Sequence, residues 1–383
     1  MKLSRSLKVA AVAVVAAALS AQTAFAGGLT VTGGGSSFDA PLINACKVAW
    51  QTSTGNTFNY TSSSSGTGQS NEDAGIGDVN FSDSGYTPAK SSVLNIPVAM
   101  APIAVGYNLP GTKDLYLSQK TLSDIFAGKV TKWNDAEIAA DNNGSATEVI
   151  FKKDAAGNPI KDSKGNPIVL RTQSVARHYT LPSQPIHIVA RADSSGTTQN
   201  FLKLFTNNSD TTISSVWTKP LGKVFTSVFP GNVNDPANIG RIQTATGSAS
   251  VAALMNQTPY SIGYFEPSYA TGKLRNALIG DANGDWSGPT AAATAAFVNS
   301  GTFNAQGLLQ FDYSTKTPGA YVLGIVSYAL VDSAKTTDNA KAVTSFINYL
   351  LNPACPTAAG LGFSPITGSV LAHDQALVAK LAK

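Results

Sequence analysis

Three times in this chain a strand or loop delivers Ser/Thr and Gly to the start of a helix pattern: Ser36-Ser37-Phe38, Ser65-Gly66-Thr67 and Ser195-Gly196-Thr197. The runs ahead of them, Leu29–Thr32, Thr57–Tyr60 and Ile186–Ala190, read as strands, and strands that alternate with helices define an α/β fold. Gly33-Gly34-Gly35-Ser36-Ser37 is expected to turn the chain, with Asp39 as N-cap and Pro41 in the first helical turn. Leu42, Cys46, Ala49 and Trp50 then share one helix face. Ile96–Leu109 reads as one long buried or crossing strand, and Thr121–Phe126 as the start of a helix that stops at Gly128. A helix through Phe201, Leu204 and Phe205, strands at Ser261–Phe265 and Tyr321–Val331, and a helix at Ala340–Leu351 continue the alternation.

The chemistry of such junctions is binding rather than bond breaking. The first N–H groups of a helix have no intrahelical acceptor, and with hydroxyl donors beside them they form an anion site. Each helix end contributes about 0.3–1 kcal/mol toward an anion, and about 2 when partly buried. Singly, each junction is more often a capping turn, and Thr61–Gly68 also fits a flexible loop. Arg191, four residues before Ser195, adds a bidentate charge-assisted clamp, and together these residues favour an oxyanion. Asp83 and Asp193 are then informative, because a buried carboxylate accepts and suits an oxyanion that still carries a proton. Phosphate at neutral pH has one and sulfate has none. The alternatives are a solvated turn for Asp83 and a salt bridge that fixes Arg191 for Asp193. Catalytic patterns are missing: His178, His187 and His373 form no H-E-x-x-H pair, and neither a G-x-S-x-G elbow nor a P-loop ending is present.

Charge and length narrow the class further. Charged residues are 13% of 383, about half the usual density, and 43% are apolar, enough for a sizeable core in two domains. Lys2, Arg5 and Lys8 precede an apolar run Val9–Leu19 and Ala24-Phe25-Ala26, which together read as a signal peptide cut after Ala26. A membrane anchor is the alternative, but the run is shorter than the ~18–20 residues that span a bilayer. Beyond the cut no cysteine offers a lipid-attachment point at the new terminus, and the 27 basic against 23 acidic residues become 24 against 23. A near-neutral chain offers no footprint for nucleic acid. Cys46 and Cys355 are expected to form one bridge in an oxidising compartment, with two separate buried thiols as the alternative and metal binding improbable. Lys153–Ile160 and Lys161–Ile168 repeat the pattern Lys-Asp-x-x-Gly-Asn-Pro-Ile, read as an exposed β-hairpin insertion. His178 and His373 are expected at the surface.

Thr32–Pro41, Ser65-Gly66, Thr121–Trp133, Arg191–Thr197 and Ile262-Gly263-Tyr264 resemble the phosphate-binding proteins of phosphate ABC transporters, from about Leu29 to the C-terminus. That resemblance implies a two-lobed periplasmic-binding-protein fold (type II-like), with two crossing strands as hinge and the ligand in the interlobe cleft. Residues 1–26 would be the signal peptide, 27–100 and 266–383 the two parts of lobe I, and 101–265 lobe II with its inserted hairpin near 150–170. The implied ligand set is Ser37 and Phe38 through backbone N–H, Ser65, Asp83, Arg191, Ser195, Gly196 and Thr197, with Asp193 steadying Arg191. The implied partners are inorganic phosphate and a membrane ABC permease, with no cofactor or metal, for a monomer in the periplasm or secreted. Three features depart from the family pattern: a short approach Val79–Asp83, the 153–168 hairpin and the Cys46–Cys355 pair. They leave two other functions open: a secreted relative with phosphatase activity, and an extracellular binding or adhesion protein that uses the hairpin as its contact surface.

Overall fold

The computed structural model describes residues 28–304, 307–351, 355 and 360–383; the expected signal peptide lies outside the described residues. Strand β1 (Thr30–Gly35) leads into α1 (Ala40–Thr54), β2 (Thr57–Ser62) into α2 (Ser65–Ala74), and β3 (Val79–Ser82) ends at Asp83. Then come β4 (Val93–Pro102), β5 (Ala104–Asn108), β6 (Tyr116–Leu117), α3 (Gln119–Phe126) and α4 (Ala136–Asp141). An arm of β7 (Asn143–Phe151) and β8 (Val169–His178) precedes β9 (His187–Arg191), which feeds α5 (Gly196–Thr206). The chain continues through α6 (Thr211–Ser214), α7 (Phe225–Val228), β10 (Ile242–Ala245), α8 (Ser248–Gln257) and β11 (Ser261–Phe265). After β12 (Arg275–Asn276), β13 (Leu278–Gly280), β14 (Trp286–Ser287) and α9 (Ala291–Val298), a small pair β15 (Thr302–Phe303) and β16 (Leu309–Gln310) follows. The chain closes with β17 (Gly324–Asp332), α10 (Asp338–Leu351) and a C-terminal helix Gly368–Val378.

Two five-stranded sheets organise the molecule, in the orders β2-β1-β3-β17-β4 and β10-β9-β11-β5-β12. Each sheet with its packed helices makes one lobe, and the α/β two-lobed expectation is met. In the first lobe Trp50, Phe58 and Phe346 pack edge to face at 4.9–5.2 Å, and Trp50 Nε1 donates to Ser345 Oγ at 3.2 Å. In the second lobe Phe201 stacks on Tyr264 at 4.5 Å and meets Phe126 at 4.7 Å. Burying each such ring contributes roughly 1.5–3 kcal/mol, so these clusters fix the strands that carry the site.

Several expectations need correction. Gly33-Gly34-Gly35 do not turn the chain; they are the end of β1, between β2 and β3. A Cβ at Gly33 would lie 2.0 Å from the Val79 carbonyl oxygen, and at Gly35, whose φ is +123°, 2.2 Å from that of Phe81. The glycines therefore let three strands close up where the chain enters the site. The Ile96–Leu109 run is two strands in different sheets, because Pro102 has no N–H to extend the ladder and the chain changes lobes at Ile103. In α1 it is Ile43, not Ala49, that joins Leu42, Cys46 and Trp50 on the buried face. His178 is exposed as expected, whereas His373 is half-buried and stacks on Phe303 at 4.1 Å.

The insertion is longer than a hairpin and less isolated. Its repeat forms two tight turns, with Asp154 and Asp162 each accepting from backbone N–H groups within its own loop, at the tip of the β7–β8 arm. That tip touches helices of the first lobe. Asn299 Nδ2 donates to the Gly165 carbonyl at 2.9 Å, and Lys161 Nζ reaches Thr367 Oγ1 at 3.5 Å.

Cys46 and Cys355 are joined, with Cα atoms 5.6 Å apart, which ties α1 to the chain beyond α10. Among the described residues no helix is long and apolar enough to cross a membrane.

One core group makes stability depend on pH. Asp374, on the C-terminal helix, is fully buried, finds no hydrogen-bond partner among the described residues, and is pushed up to about 9 by burial. The unfolded chain loses this proton near the ordinary aspartate value, whereas the folded chain keeps it. Stability is therefore lost as pH rises from about 4 toward 9, by up to about 1.4 kcal/mol per unit. Asp374→Asn removes that slope. Urea midpoints of variant and wild type should diverge steadily between pH 4.5 and pH 8 in the variant's favour; parallel midpoints would show that Asp374 ionises freely in the fold.

Candidate functional site

The site lies where the strands of both sheets end, the position at which open α/β sheets present helix N-termini. From the first lobe come Ser36–Asp39 before α1, Ser65 at the start of α2, and Asp83 just after β3. From the second come Arg191 at the end of β9 and Ser195–Thr197 at the start of α5. Ser64 and Ser195 cap their helices, accepting from Thr67 and Thr198 N–H at 3.1 Å, so the Ser/Thr-Gly pattern encodes real helix starts. The Thr61–Gly68 stretch is not a flexible loop: Thr61 and Ser62 end β2, Ser64 caps α2, and Ser65–Gly68 is helix.

Asp83 sits at the junction of the lobes. The Ser65 hydroxyl donates to its Oδ1, and the Thr197 hydroxyl, from the other lobe, donates to Oδ2 at 2.5 Å. Asn200 Nδ2 donates to the Asp83 carbonyl. Arg191 is 1% exposed. Its Nε donates to Asp193 Oδ1 at 2.8 Å, Nη2 donates to Oδ2, and Nη1 turns to Ser248 Oγ at 3.1 Å and Thr197 Oγ1 at 3.5 Å. Burial works against the charge on Asp193, but the guanidinium and the Gly247 N–H at 3.0 Å hold its carboxyl below the usual range. Asp193 is thus the salt-bridge partner that fixes Arg191. Tyr264 braces the same strand, its hydroxyl accepting from Arg191 N–H at 3.2 Å and pairing with Thr198 Oγ1 at 2.7 Å.

The lobes meet directly around these residues. Gly66 N–H donates to the Ser194 carbonyl at 2.9 Å, and Ser248 N–H donates to Ser37 Oγ at 3.2 Å. A Cβ on Gly196 would lie 2.6 Å from Ser65 Oγ, so glycine is what permits the contact. Phe38 is fully buried with its ring against Phe363, which places its backbone at the site edge and its side chain in the core. Ser195 uses its own N–H on the Lys223 carbonyl at 2.9 Å. All eight implied ligand residues thus lie on the segments that converge here.

Three contributors were not read from the sequence. The start of α8 at Gly247-Ser248 is a fourth helix N-terminus, and Thr246-Gly247-Ser248 carries the same signal as the other three junctions. Asp39 occupies the N-cap position of α1 but does not cap it: the helix has no side-chain cap bond, and Asp39 N–H instead donates to Ser36 Oγ at 3.2 Å. Its carboxyl is fully buried near the Ser36 and Ser327 hydroxyls, and burial first, then the Asp83 charge, pushes it well above the ordinary range. Glu266, after β11, is also fully buried and raised by burial, near Arg191 and Ser248. Burial thus works against the charge on both of these carboxyls, whereas Asp193 is held ionised beside Arg191 by its ion pair. The arrangement gathers hydroxyls, helix N–H groups and one guanidinium, donors of the kind that suit a tetrahedral oxyanion, around one carboxylate able to accept a hydrogen bond.

Known proteins share this architecture. Residues 17–354 match the PBP superfamily domain. The phosphate-binding protein PstS 3 of Mycobacterium tuberculosis (strain ATCC 25618 / H37Rv) is 29% identical over 367 residues, covering 91% of this chain and 85% of the relative. The phosphate-binding protein PstS of Xylella fastidiosa (strain Temecula1 / ATCC 700964) is 27% identical, covering 90% and 84%. Among solved structures, a phosphate binding protein from Stenotrophomonas maltophilia superposes with a TM-score of 0.64 at 17% identity, covering 92% of this chain and 94% of that one. A putative phosphate ABC transporter substrate-binding protein with bound phosphate from Clostridium perfringens gives 0.55 at 16%, covering 88% and 100%. At these identities the structural likenesses bear on the fold alone.

Proposed function

The chain belongs to the PBP superfamily, and on that premise we propose that it is an exported, non-enzymatic receptor that binds inorganic phosphate between its lobes for delivery to an ABC permease. The ligand set is Ser37, Phe38, Ser65, Asp83, Arg191, Ser195, Gly196 and Thr197, with Asp193 holding Arg191 in place. Export rests on residues 1–26 as a cleaved signal peptide, and the protein acts in the periplasm or outside the cell. The relatives' names as phosphate-binding proteins support the ligand.

The observation that carries the reading is Asp83, a carboxylate that receives hydroxyls from both lobes beside the Arg191 guanidinium and the helix starts of α2 and α5. A protonated oxygen of phosphate satisfies it. Sulfate, fully ionised, meets it as an unpaired like charge, which costs several kcal/mol.

Titration calorimetry tests this with phosphate, and with phosphate against excess sulfate. Wild type should bind phosphate regardless of sulfate. Asp83→Asn offers an amide donor as well as an acceptor, so phosphate affinity falls modestly while sulfate competes at least about tenfold better. The decisive quantity is the ratio of the two affinities; an unchanged ratio in Asp83→Asn removes Asp83 from proton recognition.

A further inference from the structure

Lys223 belongs to none of the motifs above. It lies between α6 and α7, yet it touches the site twice. Its carbonyl accepts the Ser195 N–H at 2.9 Å, fixing the start of α5. Its ammonium crosses to the other lobe and donates to Gln69 Oε1. Gln69 is on α2, one turn beyond Ser65, and is buried. The opposite end of the same amide donates to Ser82 Oγ at 3.0 Å and to the Ser84 carbonyl at 2.9 Å, the residues on either side of Asp83. One side-chain amide therefore grips the Asp83 loop with its NH2 and takes a cation from the opposite lobe with its oxygen. Lys203, also on the second lobe, extends the pattern through Asn200 Oδ1 at 3.2 Å, and Asn200 in turn holds the Asp83 carbonyl.

Resting on the phosphate reading, we propose that Lys223 and Gln69 form a clasp between the lobes, outside the ligand set, that selects the closed form and holds Asp83 in register. Lys223 is a positioning residue in this account, acting on the ligand through Gln69. The contact exists only while the lobes are together, so it adds to the closed state and nothing to the open one. A contact of that kind shifts the open–closed equilibrium and appears in ligand release rather than in the stability of the open protein. Burial lowers Lys223 from the ordinary lysine value, with the Asp83 charge working in the ammonium's favour, and burial and then the Lys223 charge lower Lys203. The amide oxygen of Gln69 offsets that desolvation where the lysine leaves water.

The test follows release of radiolabelled phosphate from the full chain into excess unlabelled phosphate, with the ligand-free Tm measured alongside. Lys223→Met keeps an unbranched side chain one atom shorter and removes the donor; it should release phosphate about tenfold faster, the effect of one hydrogen bond to a charged group. Its ligand-free Tm should match wild type. Lys223→Arg, which keeps a cationic donor, should stay within about threefold of wild type. Release from Lys223→Met at the wild-type rate overturns the clasp while leaving phosphate binding intact. A ligand-free Tm that falls in Lys223→Met, or failure of that variant to fold, also overturns it, because the contact would then support the fold itself. If wild type retains no labelled phosphate, the phosphate reading fails and the clasp fails with it.

Discussion

Arg191→Ala is expected to raise the phosphate Kd by tens- to thousands-fold, the consequence of losing about 2–5 kcal/mol when a buried charge-assisted partner is removed. The geometry also says what accompanies that loss. Asp193 is held ionised by the guanidinium, so the alanine variant leaves a mostly buried carboxylate without its cation. Breaking such a pair from one side destabilises by about 3–5 kcal/mol, and the Tm of Arg191→Ala should fall with its affinity. Pairing the change with Asp193→Asn separates the two effects. The double variant should recover most of the stability and none of the affinity, because the amide tolerates the lost charge and the ligand does not. Calorimetry and thermal melts on the wild type and both variants decide it; near-wild-type phosphate binding by either variant would exclude Arg191 from the site.

The second large effect concerns the ends of the chain. The Cys46–Cys355 bridge closes a span of 309 residues, for which chain-entropy reasoning gives about 5–6 kcal/mol of stabilisation, acting mainly on the unfolded chain. α1 and α10 pack together without its help, through Trp50, Phe346 and the Trp50–Ser345 hydrogen bond. Cys46→Ala with Cys355→Ala should therefore still fold and bind phosphate with unchanged affinity, but unfold at a much lower urea concentration. Reduction of the wild type should reproduce the shift. A midpoint within error of the oxidised protein would mean that the unfolded chain gains little freedom when the bridge is cut.

Sequence and structure divided the work along a physical line. Whatever is settled within a few residues was legible beforehand: Ser/Thr-Gly at helix starts, Arg191 two residues from Asp193, the apolar periods of β11 and α10. Capping and turn chemistry depend on neighbours in the chain, so their signals sit in the chain. The Thr246-Gly247-Ser248 start carries the same local signal, and only the fold shows that it meets Ser37 across the lobes. The glycines of β1 were misplaced for a different reason. Their requirement comes from Val79 and Phe81, more than forty residues away, and a glycine run reads as a turn when its strand partners are unknown.

Only the tertiary fold decided which helix starts face each other, that Asp39 is a buried acid rather than a cap, that Glu266 stands beside Arg191, and that Lys223 reaches Gln69 across the lobes. Each of these depends on sheet order and on the change of sheets at Ile103, and long-range pairing of that kind leaves no local mark. The sequence by itself determined the groups that favour an oxyanion; the crossing of two sheets determined that they meet at one place, because a site between lobes is a distance between segments and not a property of any one of them.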